Sequence, residues 1–243
     1  YDLRTNKIVN WETNANNNLD LKAIASFCSL GFFLDEDTYF KNIKTCRPSS
    51  TYQLNENKII EKVVNNWEWH YTPSELSFDQ TLDKFATLFE KLVHSQTNGK
   101  SILLPISAGL DSRTLLVPVK DKSNLTLCSY DFEGGYKESS VGKQIAEKLN
   151  VPFYSHIIPK GYLWNNLIQI RDYNRCFTDF THPRQVAAMN NWKGLGNTIL
   201  LGHWGDVLFD SHINHDNYSY DEQLILLKKK LIKPGGVELA NDL

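Results

Sequence analysis

Four residues that could bind phosphate or metal follow a continuous apolar run near the middle of the chain. The run at 102–106 is typical of a buried parallel strand, and the turn after it contains Ser107, Gly109, Asp111 and Ser112. Backbone N–H groups at the start of the helix that follows can bind an anion, and the two hydroxyls add donors. The glycine lets a phosphate approach the main chain, and the aspartate offers a hard oxygen ligand for Mg²⁺. We interpret the segment as a phosphate loop; an ordinary strand-to-helix turn is the alternative.

Two later segments have the same arrangement, an apolar run followed by small or polar residues. Residues 125–130 are such a run and lead to Glu138, and residues 198–201 lead into the segment 202–206. In an open α/β sheet, ligands bind beyond the carboxyl ends of the parallel strands. We therefore expect these two segments and the phosphate loop to meet at one site.

The spacing of apolar residues predicts the elements that position these segments. Helices are predicted over residues 19–33, 78–96, 138–149, 164–173 and 184–192, and strands over 51–54, 58–60, 102–106, 125–130, 153–158 and 198–201. Strands alternate with helices from residue 102 onward, which is typical of βαβ units. The predicted fold class is α/β, a parallel sheet flanked by helices, preceded by a small α+β part that ends within 65–75.

The predicted helix over 78–96 has the strongest amphipathic pattern in the chain. Its apolar stripe consists of Leu82, Phe85, Leu88, Phe89, Leu92 and Val93. A stripe at helical spacing usually packs against a core. We expect core packing here rather than a cofactor surface.

The composition argues against several classes of protein. The 26 basic and 28 acidic side chains give a net charge of −2, so neither nucleic acid nor an anionic membrane is indicated as a partner. No apolar stretch approaches the roughly 18 residues of a membrane span. The four cysteines have no paired spacing, which argues against a zinc site and for reduced thiols in the cytosol. The chain begins with Tyr1 rather than Met, and we interpret it as a piece of a longer protein.

Three motifs at the predicted strand ends carry a family resemblance. Residues 107–112, Ser-Ala-Gly-Leu-Asp-Ser, resemble the Ser-Gly-Gly-x-Asp-Ser pyrophosphate loop of the ATP pyrophosphatases. Residues 129–149 are similar to the second strand and the acidic helix start of the asparagine synthetase family, a branch of that superfamily. Residues 200–209, Leu-Leu-Gly-His-Trp-Gly-Asp-Val-Leu-Phe, resemble the family signature Leu-Ser-Gly-His-Gly-Gly-Asp-Glu-Leu-Phe. The three matches occur in the family's order, so the chain resembles its synthetase domain.

The resemblance implies two domains. Residues 1–75 correspond to the C-terminal part of a glutaminase-like domain plus a linker. They lack the nucleophilic cysteine, so glutamine hydrolysis by this chain is not expected. Residues 76–243 correspond to an ATP pyrophosphatase-type synthetase domain with an adenine nucleotide alpha hydrolase-like fold. We expect this domain to be incomplete, with the family's pyrophosphate-binding lysine beyond Leu243.

The resemblance also implies ATP and Mg²⁺ as cofactors and assigns roles to residues. It places the pyrophosphate contacts at Ser107, Gly109 and Ser112, and the adenine contacts at Ile106, Tyr130, Leu201 and Gly202. It places the metal ligands at Asp111, Asp206 and Glu138, and the catalytic residues at Asp111 and His203. Asp111 and Glu138 would also stabilise helix N-termini. Asp206 could instead be an ordinary turn residue with no role in metal binding. His203 could serve as a general base at neutral pH or be a loop histidine.

The leading hypothesis is an amide-forming ligase that activates a carboxylate as an acyl-adenylate, releases pyrophosphate, and transfers the acyl group to ammonia or an amine. Aspartate is the family's default carboxylate. The chain could associate with a glutaminase domain or subunit, or with a second copy of itself. Binding to nucleic acid or to a membrane is not expected. The cytoplasm is the expected location.

Two other functions compete with this hypothesis. Ala108 and Trp204 replace family glycines and Val207 replaces a family acidic residue, which favours a catalytically impaired nucleotide-binding or interaction module. The least favoured function is that of a superfamily member that uses sulfur or binds tRNA. The cysteines have no paired spacing, and the chain is not basic.

Overall fold

A computed structural model of the chain describes residues 1–9, 18–68, 70, 72–175, 177, 184–203 and 218–242. In chain order, its elements are α1 (Leu21–Leu30), β1 (Ser50–Leu54), β2 (Ile60–Asn65), α2 (Phe78–Thr97), β3 (Ile102–Pro105), α3 (Leu110–Leu116), a 3₁₀ turn (Val117–Val119), β4 (Leu125–Phe132), α4 (Ser139–Leu149), β5 (Phe153–Ile158), α5 (Tyr162–Asn165), α6 (Leu167–Asn174), a 3₁₀ turn (Arg184–Ala187), α7 (Met189–Trp192), β6 (Thr198–Ile199), α8 (Tyr220–Leu231) and α9 (Gly236–Asn241). No helix in these ranges has the length and apolarity needed to cross a membrane.

The chain divides into two compact units. The first contains residues 1–73, 174–179 and 213–243, and the second contains residues 74–173 and 180–212, as far as these are described. The first unit therefore combines the N-terminal segment with the C-terminal helices. The second contains the parallel sheet.

The first unit is built on α1 and the antiparallel hairpin β1–β2. The Asp20 carboxylate accepts a hydrogen bond from the Ala23 N–H at 3.2 Å and caps α1. The helix ends earlier than the predicted 33 because Gly31 takes a left-handed conformation with φ of 88°, a common helix stop. The Ser29 hydroxyl then donates to the Gly236 carbonyl at 3.0 Å, which joins α1 to α9.

The second unit contains a four-stranded parallel sheet in the order β5-β4-β3-β6. One face of β3 presents Ile102 and Leu104, which pack with residues from α2, α3 and α4. The opposite face presents Leu103, which packs with Cys128 and with Trp192 from α7. Because both faces of β3 are covered, this strand is continuously apolar. This architecture confirms the predicted α/β class with helices flanking a parallel sheet.

Two of the predicted helices are interrupted. The segment predicted as one helix over 164–173 forms α5 and α6, separated at Asn166, whose side-chain amide donates to the Tyr162 carbonyl at 2.7 Å. Such local side-chain bonds compete with helix continuation. The segment predicted over 184–192 is a 3₁₀ turn followed by the four-residue helix α7.

Helix α2 begins with a capping box, in which Ser77 and Gln80 bond each other's backbone N–H groups. The expectation that its whole stripe packs in the core is wrong: Leu82, Phe85, Leu88 and Leu92 remain 41–54% exposed. The helix reaches the core through its C-terminal half, where Val93 is buried and Phe89 packs beside it.

Candidate active site

The carboxyl ends of β3 and β6 approach each other closely. A Cβ atom on Gly202 would lie 2.9 Å from the Ser112 backbone nitrogen and 3.0 Å from the Asp111 carbonyl carbon. Real Cβ atoms do not approach backbone this closely, so only glycine fits without a shift. The segment after β6 therefore rests directly on the first turn of α3.

The loop after β3 is held by its own side chains. The Ser107 N–H donates to the Ser112 hydroxyl at 3.1 Å, and the two hydroxyl oxygens lie 3.2 Å apart. The Gly109 N–H donates to the Ser107 hydroxyl at 3.1 Å. The Arg113 guanidinium donates to the carbonyls of Ala108 and Gly109, at 2.9 and 3.1 Å. Since these donors already have partners, a phosphate would have to replace some of these bonds.

The end of β4 is fixed to the start of α4. The Asp131 carboxylate accepts hydrogen bonds from the backbone N–H and the hydroxyl of Ser139, at 3.0 and 2.5 Å. Glu138 occupies the N-cap position without a capping bond from its own side chain. Asp131 therefore does the capping, and the exposed Glu138 carboxylate is left for other contacts.

These strand ends enclose a pocket of about 250 Å³. It is lined by Pro105, Ile106, Ser107, Ser112, Ser129, Tyr130, Asp131, Phe132, Tyr136, Glu138, Gln185, Trp192, Leu201, Gly202 and His203. The lining combines hydroxyl and carboxylate groups with aromatic rings. We call this the strand-end pocket.

A larger, mostly apolar groove of about 670 Å³ lies next to it, between α2 and α3. It is lined by Phe78, Thr81, Leu82, Phe85, Phe89, Asp111, Thr114, Leu115, Leu201, Gly202 and His203. Leu201, Gly202 and His203 belong to both linings. We call this the α2–α3 groove.

The structure brings most of the sequence-predicted site residues together. The strand-end pocket contains Ile106, Ser107, Ser112, Tyr130, Glu138, Leu201, Gly202 and His203. Asp111 is exposed and lines the α2–α3 groove instead, and Gly109 lines neither cavity. Asp206, Trp204 and Val207 lie outside the described residues.

The sequence did not point to the partner of His203. The Gln185 side-chain amide nitrogen lies 3.3 Å from His203 Nε2. The two side chains are therefore within hydrogen-bonding distance of each other. No local pattern could have found this pair, because Gln185 lies in a 3₁₀ turn 18 positions earlier.

The aromatic neighbours of Tyr130 at the pocket were also missed. Tyr130 lies 6.1 Å from the ring of His156 and 6.2 Å from that of Trp192, measured between ring centroids. Within the described residues, neither His156 Nε2 nor Trp192 Nε1 has a hydrogen-bond partner, and both atoms are buried. Burial lowers the pKa of His156, and the Asp131 carboxylate opposes that shift. The imidazole is therefore biased towards its neutral form.

We next consider which described residues could bind a divalent metal ion such as Mg²⁺. Among the described residues, no group of three His, Cys, Asp or Glu side chains is arranged to hold a metal ion. Mg²⁺ keeps several waters and commonly takes one or two protein carboxylates together with substrate phosphates. Asp111 and Glu138 are exposed carboxylates that line different cavities, the α2–α3 groove and the strand-end pocket, so each could supply one such ligand.

Comparison with known proteins gives only distant similarity. No family model and no curated protein matches the chain. One similar solved structure is the NH3-dependent NAD synthetase from Campylobacter jejuni in complex with the nitrate ion, with 14% identity, a TM-score of 0.37, and coverage of 55% of this chain and 60% of that chain. Another is the glutamine-dependent NAD+ synthetase from Acinetobacter baumannii in complex with ADP, with 13% identity, a TM-score of 0.37, and coverage of 77% and 40%. The matched regions span less than two thirds of either structure's length.

Proposed function

We propose that the second unit binds ATP at the strand-end pocket and uses it to form an amide. A carboxylate would be activated as an acyl-adenylate with release of pyrophosphate, and ammonia or an amine would then displace AMP. The observation that carries the proposal is that residues from all three motif segments line one pocket: Ile106, Ser107 and Ser112 from the first, Tyr130 and Glu138 from the second, and 201–203 from the third. Each of these segments resembles a nucleotide-binding motif of the asparagine synthetase family.

The lining supports a nucleotide as the ligand. Ser107 and Ser112 supply hydroxyls at one side, and Tyr130 and Trp192 supply aromatic surface. Phosphates need donors, whereas a base needs apolar and aromatic contacts. A volume of about 250 Å³ is slightly below the usual range of about 300–1,000 Å³ for small-molecule sites, so we expect part of the triphosphate to lie outside the pocket.

The loop would bind pyrophosphate by exchanging partners. The hydroxyls of Ser107 and Ser112 now bond each other and nearby N–H groups. A phosphate oxygen accepting from these groups would form charge-assisted bonds, which are about twice as strong as neutral ones. The net gain would favour the bound state even though internal bonds are lost.

Asp111 and Glu138 are the described carboxylates that we propose for the metal. When bound, Mg²⁺ would neutralise charge that develops on the phosphates. Asp111 stands in the first turn of α3 beside Gly202, and Glu138 stands at the start of α4. Asp206 is also proposed as a ligand, on the strength of the sequence motif alone.

In the proposed reaction, a carboxylate oxygen of the acid attacks the α-phosphorus of ATP. The bond from the α-phosphorus to the bridging oxygen breaks, and pyrophosphate leaves with that electron pair. In the second step the amine nitrogen attacks the acyl carbon, AMP leaves, and the nitrogen gives up a proton. His203 lines the pocket and is a described group that could accept this proton, once Nε2 has given up its contact with Gln185. The chain's main contribution is orientation and charge stabilisation.

A non-catalytic nucleotide-binding module is the second candidate. It is favoured by the internal bonding of the loop, in which Arg113 also holds the carbonyls of Ala108 and Gly109. A loop fixed in this way could bind a nucleotide without adjusting to a transition state.

The test is ATP binding followed by exchange of labelled pyrophosphate into ATP, using the full-length protein with Mg²⁺. We expect Ser112→Ala to weaken ATP binding about tenfold, since a bond to a charged group is lost. Ser95→Ala on the exposed side of α2 is the matched control and should bind normally. Exchange that depends on an added acid supports the ligase. ATP binding without exchange supports the module, and absence of both rules out a nucleotide site.

A further inference from the structure

We propose that the α2–α3 groove binds the apolar part of a carboxylic acid substrate whose carboxylate lies at the Leu201–His203 end. The substrate class would be a monocarboxylic acid with a large aliphatic or aromatic group, rather than aspartate. This inference rests on the proposed function, since it names the acid that the strand-end pocket would activate.

The first argument is continuity between the two cavities. Leu201, Gly202 and His203 line both the groove and the strand-end pocket. A molecule that fills the groove therefore ends where a nucleotide in the pocket would begin. An acid and ATP must meet at such a boundary for the carboxylate to reach the α-phosphorus.

The second argument is the chemistry of the lining. Among the described groove residues, the only ionisable side chains are Asp111 and His203, and no Lys or Arg is present. Aspartate carries an ammonium and two carboxylates, and such groups lose hydration at a cost unless they are paired. An apolar tail gains free energy in proportion to the area that it buries. The groove thus suits an acid with one charged end.

The third argument is the exposure of the groove residues. Phe78 is 79% exposed, Leu82 51% and Phe85 41%, and all three lie along one side of α2. Contiguous exposed apolar surface marks an interaction surface or a ligand-binding groove, and the residues shared with the strand-end pocket favour the groove here. The volume of about 670 Å³ lies within the range of small-molecule sites, about 300–1,000 Å³.

The experiment measures pyrophosphate exchange into ATP by the full-length protein with 3-phenylpropionate, octanoate, acetate and aspartate as acids. We expect 3-phenylpropionate and octanoate to have KM values at least about tenfold below that of acetate. Leu82→Gln should raise the KM for 3-phenylpropionate about tenfold and leave the KM for ATP unchanged. Leu88→Gln is the matched control, because Leu88 is on the same helix, is 54% exposed, and does not line the groove. It should change neither KM.

Several outcomes would overturn the inference while the proposed function stands. One is exchange that prefers aspartate. Another is an equal effect of Leu82→Gln and Leu88→Gln. A third is that Leu82→Gln sediments differently from the wild type while its KM for 3-phenylpropionate is unchanged. This result would mean that a second copy of the chain covers the groove.

The two proposals also fail differently. If ATP binds and no acid supports exchange, binding of 3-phenylpropionate is measured by ligand-observed NMR on the wild type and on Leu82→Gln. Loss of binding in the variant supports the inference, and no binding, or binding unaffected by the variant, overturns it. If neither ATP binding nor exchange is found, the proposed function fails and the inference fails with it.

Discussion

The backbone of Gly202 lies against that of Ser112, so that a Cβ atom on Gly202 would be 2.9 Å from the Ser112 nitrogen. This contact joins the end of β6 to the first turn of α3. It is the point at which the strand-end pocket and the α2–α3 groove meet.

The first prediction concerns that contact. Gly202→Ala should lower the free energy of unfolding by about 1–3 kcal/mol, since the added methyl forces backbone to move, and it should weaken ATP binding. Gly161→Ala is the control: its φ is 77° and no atom of the described residues lies within 4 Å of the added atom, so only about 1 kcal/mol of backbone strain is expected. Urea denaturation and calorimetric ATP titration measure both effects. Normal ATP affinity in Gly202→Ala would contradict the role of the contact.

The second prediction concerns the start of α4. Asp131→Ala removes the acceptor for the Ser139 N–H and hydroxyl and should cost about 1 kcal/mol, with an upper value of about 2 kcal/mol. Asp121→Ala, at an exposed turn, should cost less than about 0.5 kcal/mol. Chemical denaturation of the two variants under identical conditions compares these losses. Equal losses would show that the cap does not stabilise the helix.

The third prediction concerns the pH dependence of stability. Because burial lowers the pKa of His156 in the folded state, the unfolded chain takes up a proton at higher pH than the folded chain. Stability from this residue is therefore complete above about pH 6.5 and is lost as the pH falls below that value, until the pH passes the lowered pKa of the folded state. The slope is at most about 1.4 kcal/mol per pH unit.

Unfolding in urea between pH 5 and 8 tests this dependence. His156→Gln should flatten the fall in stability on the acid side relative to the wild type. His94→Gln, at an exposed position on α2, should keep the wild-type profile. A His156→Gln profile parallel to that of the wild type would contradict the prediction.

The fourth prediction concerns thiol reactivity. Burial raises the pKa of Cys128 to about 12, so little thiolate exists near neutral pH. Cys28 and Cys46 are exposed. Alkylation with iodoacetamide at pH 8, followed by peptide mapping, should label Cys28 and Cys46 in the native protein and Cys128 only in denaturant. Native labelling of Cys128 would show that the β4 face opens readily.

Local patterns predicted much of the fold. The continuous apolar run at 102–106 predicted β3, because a strand covered on both faces has no polar side to interrupt it. The Asp20 carboxylate caps α1, and aspartate is among the residue types that sequence reasoning favours at that position. The meeting of three strand ends followed from a general property of parallel sheets.

Features that depend on distant partners were not predictable. The stripe of α2 looks the same in sequence whether its residues are buried or exposed, yet Val93 is buried while Leu88 and Leu92 are 54% and 52% exposed. The pairing of Gln185 with His203 and the orphan nitrogens of His156 and Trp192 depend on how turns and strands are arranged in space.

Strand β6 pairs with β3 through only two residues, Thr198 and Ile199. So short a ladder can open locally without unfolding the rest of the sheet. Amide hydrogens of Ile199 and Leu200 should therefore exchange with solvent faster than those of β4, and each opening would carry His203 away from the pocket. If the chain binds a nucleotide and an acid as proposed, the rate of such openings would set an upper limit on how long the two are held together.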